Sequence, residues 1–215
     1  MIETKVVLSL CDRTTIALRP WAEAGYECWA IDTQHPHGIG KNIDGIRLVG
    51  CDISRFAHHL IEPLNRTIAF VSAFPPCTHL ASSGARWFRK KGLDLLADAI
   101  RLVAACNRIC EASSAPFYIE NPIGTLSTYW RKPDYIWNPC DYAGYLDDPS
   151  VEAYTKRTCL WTGGGFVMPK PRYVEPVLGS KMHKLPPTKD RADIRSITPL
   201  GFSLAVFASN SGLRK

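Results

Sequence analysis

No CxxC pair occurs in the sequence, although cysteine appears eight times in 215 residues. That absence argues against a paired zinc-ligand framework. Met1 to Lys5 lacks the layout of a secretory leader and opens straight into a strand-like run. The thiols are therefore expected to be reduced rather than paired as disulfides, in the cytoplasm. No apolar run approaches the roughly 20 residues of a membrane-spanning helix, so no membrane partner is expected. Internal repeats and low-complexity tracts are also absent. What remains is ordinary: 46% hydrophobic and 21% charged residues, enough chain for one sizeable domain. Cys106 and Cys110 stand four apart in a helical pattern and read as small core residues, with no metal site expected.

Net charge is +6, and the pI of about 8.9 is compatible with a polyanionic partner. Residues 166–195 form a short Pro-rich segment with seven Lys or Arg against three acids, so it holds most of the excess charge. Its alternative reading is a solvated, poorly ordered loop.

Strand-like runs at 6–10, 27–31, 46–49, 67–74 and 116–119 alternate with helical patterns at 14–24, 54–64 and 93–112. A further strand is expected at 155–161 and a closing helix at 198–209. This alternation predicts an α/β fold with a doubly wound, mostly parallel sheet. Residues 1–165 plus 196–215 would form the main domain, with 166–195 as a small basic insertion.

Open parallel sheets bind ligands beyond the carboxyl ends of their strands. The residues expected there are Cys11-Asp12-Arg13-Thr14, then Asp32, then Asp52, then Phe74-Pro75-Pro76-Cys77, then Glu120-Asn121-Pro122. Asp32 suits the hydroxyls of a ribose; the alternative is a solvated loop acid. Asp52 suits an adenine amino group, or else caps the helix near Ser54. Two prolines brace Cys77 after a buried strand. A helical turn beyond it is expected to lower the thiol pKa, making Cys77 a nucleophile; the alternative is a structural cysteine. Glu120 can hold a proton at a heterocycle nitrogen, or else serve as a capping or ion-paired acid.

These motifs resemble the cytosine-5 DNA methyltransferase family. Phe74-Pro75-Pro76-Cys77 is similar to its nucleophile motif and Glu120-Asn121-Pro122 to its Glu-Asn-Val motif. Gly50-Cys51-Asp52-Ile53 is similar to its Gly-Asp-Ile motif, and Asp32 matches the acid after its second strand. Thr155-Lys156-Arg157-Thr158 loosely resembles its arginine-bearing strand, and Thr198 to Ser203 its last motif. Size and the Leu10-Cys11-Asp12 start resemble compact, phage-encoded members, in which such enzymes serve DNA modification and restriction-modification.

The resemblance implies a Rossmann-like class I methyltransferase fold, with S-adenosyl-L-methionine as cofactor and transfer of a methyl group to carbon 5 of cytosine. Cys77, Glu120 and Arg157 would be catalytic. Leu10, Asp12, Arg13, Asp32, Asp52, Pro75, Gly201 and Ser203 would line the cofactor site. Lys170, Arg172, Lys181, Lys184 and Lys189 in the reduced target-recognition segment would bind DNA, with Trp130 and Trp137 available for stacking. Two departures stand out: the first loop has no glycine, and the recognition segment is short. A degenerate, non-catalytic relative that binds nucleic acid or a partner, and the same chemistry on RNA or a free cytosine nucleotide, are the alternative readings.

Overall fold

Runs of β-branched and apolar residues set strands, and the longer runs with 3.6-residue periodicity set helices. The computed structural model describes residues 5–56 and 67–213. The strands are β1 (Val6–Leu10), β2 (Glu27–Ile31), β3 (Gly38–Ile43), β4 (Ile46–Gly50), β5 (Ile68–Ala73), β6 (Phe117–Pro122), β7 (Tyr135–Trp137) and β8 (Thr158–Gly163). The helices are α1 (Arg19–Glu23), α2 (Ile53–Phe56), α3 (Phe88–Ser113), α4 (Leu126–Tyr129), α5 (Lys181–Lys184), α6 (Arg191–Ser196) and α7 (Leu200–Asn210).

All eight strands form one sheet in the order β3-β4-β2-β1-β5-β6-β8-β7. The five strands from β4 to β6 are mutually parallel. At the edges β3 pairs antiparallel with β4, and β8 runs antiparallel between β6 and β7. The chain winds from β1 toward β2 and β4 on one side, then returns to β5 on the other. The strand order therefore reverses between β1 and β5, and a crevice is expected to open there at the carboxyl ends.

Both faces of the sheet are covered. On one face Leu8, Leu10, Val71 and Ile119 pack against Val103, Cys106, Ile109 and Cys110 of α3. Their spacing puts them on one stripe of the helix. On the other face Val7, Phe70, Tyr118 and Leu160 meet Trp21 of α1 and Phe202, Ala205 and Val206 of α7. Each large apolar side chain buried this way contributes roughly 1.5–3 kcal/mol. At the amino edge the Tyr26 hydroxyl donates to the Ser211 carbonyl at 2.8 Å, and the Glu27 amide donates to the Lys5 carbonyl at 3.1 Å.

The expected α/β sheet is present, with differences of detail. β3 and β7 are additions to the expected strands, because Gly38–Ile43 is polar and glycine-containing and β7 is only three residues long. The helical pattern at 14–24 is a 3-10 turn (Ile16–Leu18) followed by α1, with Pro20 near its start. The regular part of α3 begins at Leu93, because Gly92 leaves the helix with φ 76° and ψ 179°. The helix expected at 54–64 is described only as α2, the rest lying outside the described residues.

Segment 166–195 is pinned rather than loose. Arg172 and Val174 amides donate to the Asp141 and Cys140 carbonyls, both at 2.9 Å. Leu178 and Thr155 amides bond to Ala153 and Gly179 carbonyls at 3.0 and 2.9 Å. Trp137 lies in the core, 3% exposed and stacked on Phe202 at 3.9 Å, so it offers no stacking surface. Trp130 stays 38% exposed, stacked on Trp161.

Candidate active site at the carboxyl edge of the sheet

β5 and β6 are neighbours, so their outgoing residues meet. The Asn121 side-chain amide donates to the Pro75 carbonyl at 2.7 Å and locks one strand end onto the other. Asn121 is 2% exposed, and its Oδ1 is buried with no hydrogen-bond partner. Beyond this clamp the two loops remain joined. Ser82 amide bonds to Ile123 carbonyl and Thr125 amide to Leu80 carbonyl, each at 2.9 Å. Gly124 permits that approach, since a Cβ there would stand 2.1 Å from the Leu80 carbonyl oxygen.

Cys77 and Glu120 are both half-buried and act on each other electrostatically. Burial is the largest influence on the Cys77 thiol and raises its pKa. The Glu120 carboxylate raises it further, while Lys156 and Arg195 pull it down. The lowered thiol pKa expected from sequence is thus not found: Cys77 opens a tight turn, its carbonyl taking the Leu80 and Ala81 amides, and no long helix succeeds it directly. Burial also raises the Glu120 pKa, with Lys156 opposing it. Burial of this kind makes protonation of a carboxyl group easier than in water, and the protonated form can donate a hydrogen bond.

Lys156 and Arg195, rather than the expected Arg157, are the cations that act on Cys77. Glu120 stands opposite Leu160 and Pro122 opposite Thr158. Directly opposed residues share a face, and the alternation carries Lys156 to the Glu120 face and Arg157 to the other. Arg157 is exposed and acts on Cys159. Lys156 is half-buried and donates to the Arg195 carbonyl at 2.8 Å. The strand period carries this signal, but using it requires knowing that β8 is antiparallel.

The first loop keeps its curvature without glycine. Cys11 and Thr15 both adopt left-handed conformations, φ 55° and 60°. Asp12 offsets that cost. It is 3% exposed and accepts from Ser9 Oγ at 2.7 Å, Thr15 N at 2.8 Å and Thr14 N at 3.0 Å. Ser72 Oγ donates to Ser9 Oγ at 2.9 Å, extending the network into β5. Asp12 is therefore occupied as a loop anchor. His35 ties this loop to the next one, its Nε2 lying 3.0 Å from the Asp12 carbonyl oxygen.

The remaining predicted residues divide clearly. Leu10 is a core residue whose carbonyl accepts from the Phe74 amide at 2.9 Å. Asp32 lies at the end of β2, 8% exposed, and one carboxylate oxygen accepts from the Gln34 amide at 2.7 Å. Asp52 takes the capping alternative: it holds the start of α2 through the Ser54 amide at 2.9 Å and pairs with Arg55 at 3.2 Å. Gly201 and Ser203 are buried in the first turn of α7. The Gly201 amide donates to Glu152, and the Ser203 hydroxyl to the Pro199 carbonyl. Arg13 forms an ion pair with Asp193 of α6 at 2.9 Å.

Lys170, Arg172, Lys184 and Lys189 are exposed and Lys181 is half-buried. The Arg172 guanidinium covers the Tyr145 ring at 4.2 Å, and the Lys181 ammonium lies over Tyr154 at 5.3 Å. A second basic surface, unmarked by any of the sequence motifs, lies just beyond Cys77 in the chain. Arg86 and Lys90 flank the ring of Trp87, which is 47% exposed. Beside it a cavity of about 300 Å³ is walled by Phe88, Leu93 and Leu96 and rimmed by Arg89 and Lys91.

No protein-family model matches the chain, and no curated protein sequence matches it at a significant level.

Proposed function

We propose that the chain is a DNA cytosine-5 methyltransferase with a Rossmann-like methyltransferase core. The observation that carries this reading is the Asn121–Pro75 clamp, which joins the Pro-Pro-Cys and Glu-Asn-Pro strand ends so that Cys77 and Glu120 share one site. A thiol nucleophile beside a carboxyl group of raised pKa suits addition to a pyrimidine ring.

In this reading Cys77 adds to carbon 6 of the cytosine, and the ring electron pair moves toward nitrogen 3. Glu120, whose raised pKa makes proton uptake easier, would share a proton there. Lys156 and Arg195 supply the positive charge that opposes burial at Cys77 and eases thiolate formation. Once carbon 5 carries the methyl group, loss of its proton to a water molecule restores the ring double bond and expels the Cys77 thiolate. The Arg86–Lys91 surface supports phosphate contact beside the nucleophile, and the exposed Trp87 supports base stacking. A base taken from a duplex must first leave the stack, at a cost of a few kcal/mol.

The residues present fit S-adenosylmethionine in part. Among the described residues, one oxygen of the Asp32 carboxylate takes no protein hydrogen bond, which suits a ribose hydroxyl. Left-handed backbone at Cys11 and Thr15 supplies the loop turn that glycine normally provides. Asp12, Asp52, Gly201 and Ser203 spend their polar groups within the protein and are not assigned to the cofactor. When bound, the cofactor supplies an electrophilic methyl group.

Expression in a host lacking cytosine methylation, with nucleoside mass spectrometry of DNA, RNA and the nucleotide pool, tests the reading. 5-Methylcytosine in DNA is expected, and Cys77→Ala is expected to abolish it while leaving the circular dichroism spectrum unchanged. Undiminished methylation by Cys77→Ala would remove the covalent mechanism. Label confined to RNA or to free nucleotide would move the substrate.

A second, binding-only reading is favoured by one observation: α6 reaches both Arg13 and the Cys77 environment. Absence of any S-adenosylmethionine binding in calorimetry would support it.

A further inference from the structure

α6 touches both sides of the site. On the β1 side, Asp193 pairs with Arg13 at 2.9 Å. On the β5–β6 side, the Arg195 carbonyl accepts from Lys156 at 2.8 Å, and the Arg195 charge acts on Cys77. The strand order reverses between β1 and β5, so this helix lies where a crevice ligand belongs. Arg13 occupies the first loop, two residues after Cys11, in a place where the chain has no glycine backbone to offer. Its guanidinium already holds a carboxylate, and a planar fork of donors matches that group. The pair is also loosely held: Arg13 and Asp193 side chains are 36% and 56% exposed. Ion pairs this accessible are weak and exchange readily.

We propose that Arg13 is the carboxylate-binding residue of the crevice and that Asp193 is its internal stand-in. The amino-acid carboxylate of a sulfonium nucleoside would take the place of Asp193 and free α6 from the first loop. The inference rests on the proposed methyl-donor reading and names the residue that holds the end of the donor remote from the nucleoside.

Calorimetry on the full chain with two probes tests it: S-adenosylhomocysteine, which carries the carboxylate, and 5′-methylthioadenosine, which lacks it. Asp193→Asn is expected to tighten S-adenosylhomocysteine about fivefold, the size of a weak ion pair removed as competitor. Arg13→Met is expected to weaken it roughly tenfold, the loss of a charged hydrogen-bonded contact. In the Arg13→Met background, Asp193→Asn should have no further effect. Methylthioadenosine affinity should ignore all three variants. Melting curves confirm that each variant is folded. If S-adenosylhomocysteine binds equally to wild type and both single variants, the stand-in role is overturned while the donor reading survives. If wild type binds neither probe, the donor reading falls and takes this inference with it.

Discussion

Burial raises the Cys77 pKa most, and three charges adjust it further. Glu120 raises the thiol pKa; Lys156 and Arg195 lower it. Removing the lysine should leave burial and the carboxylate unopposed from that side. Lys156→Met is expected to shift the pH midpoint of Cys77 alkylation upward and slow it roughly threefold or more at neutral pH, with Lys156→Arg restoring the rate. Arg157→Met, on the opposite face, should leave the midpoint in place. Iodoacetamide labelling read by peptide mass spectrometry checks both. Glu120 gives a stability prediction of definite sign. Its pKa is raised by burial, so the folded state favours the neutral form. That stability is fully present below the ordinary carboxylate pKa and is lost as pH rises through the folded value. Glu120→Gln should therefore raise the melting temperature at neutral pH, and the gain should vanish in acid. A gain that persists unchanged at acid pH would show that charge is not its cause.

The elements are legible in the sequence to different depths, for identifiable reasons. β1 and β2 can be read to the residue because each is a short, mostly apolar run closed by a change to polar residues at Asp12 or Asp32. β3 and β7 cannot, since neither carries an apolar run of useful length. Within the site, Cys77 and Glu120 are legible because a parallel strand delivers its last residues and the loop after them to the carboxyl edge. Lys156 is not, because β8 runs the other way and brings the residues before it to that edge. Asp12 and Asp52 have the pattern of ligand groups, yet both satisfy amides of their own loops, a local role that sequence pattern alone does not separate from a binding one. The loop pairing yields a test at this scale. Gly124→Ala would press a methyl against the Leu80 carbonyl, where backbone cannot swing aside. A loss of about 1–3 kcal/mol in urea unfolding is expected, together with faster labelling of Cys77 as the two loops part.

Taken as a whole, the molecule is a sheet with two separate apolar layers, and the α7 layer is the more aromatic. Phe202 is fully buried, stacked on Trp137 and edge-on to Tyr118 and Tyr142. Phe202→Ala is expected to cost about 3–5 kcal/mol, measurable as an earlier urea midpoint. A near-silent substitution would mean that this layer contributes little to the cooperative unit. At the amino edge the hydrogen bonds from Tyr26 to Ser211 and from Glu27 to Lys5 gather residues near both ends of the described chain around one strand start. The crevice loops lie at the opposite rim. A fluorophore attached at Lys5 or Ser211 would therefore sit at the rim away from Cys77.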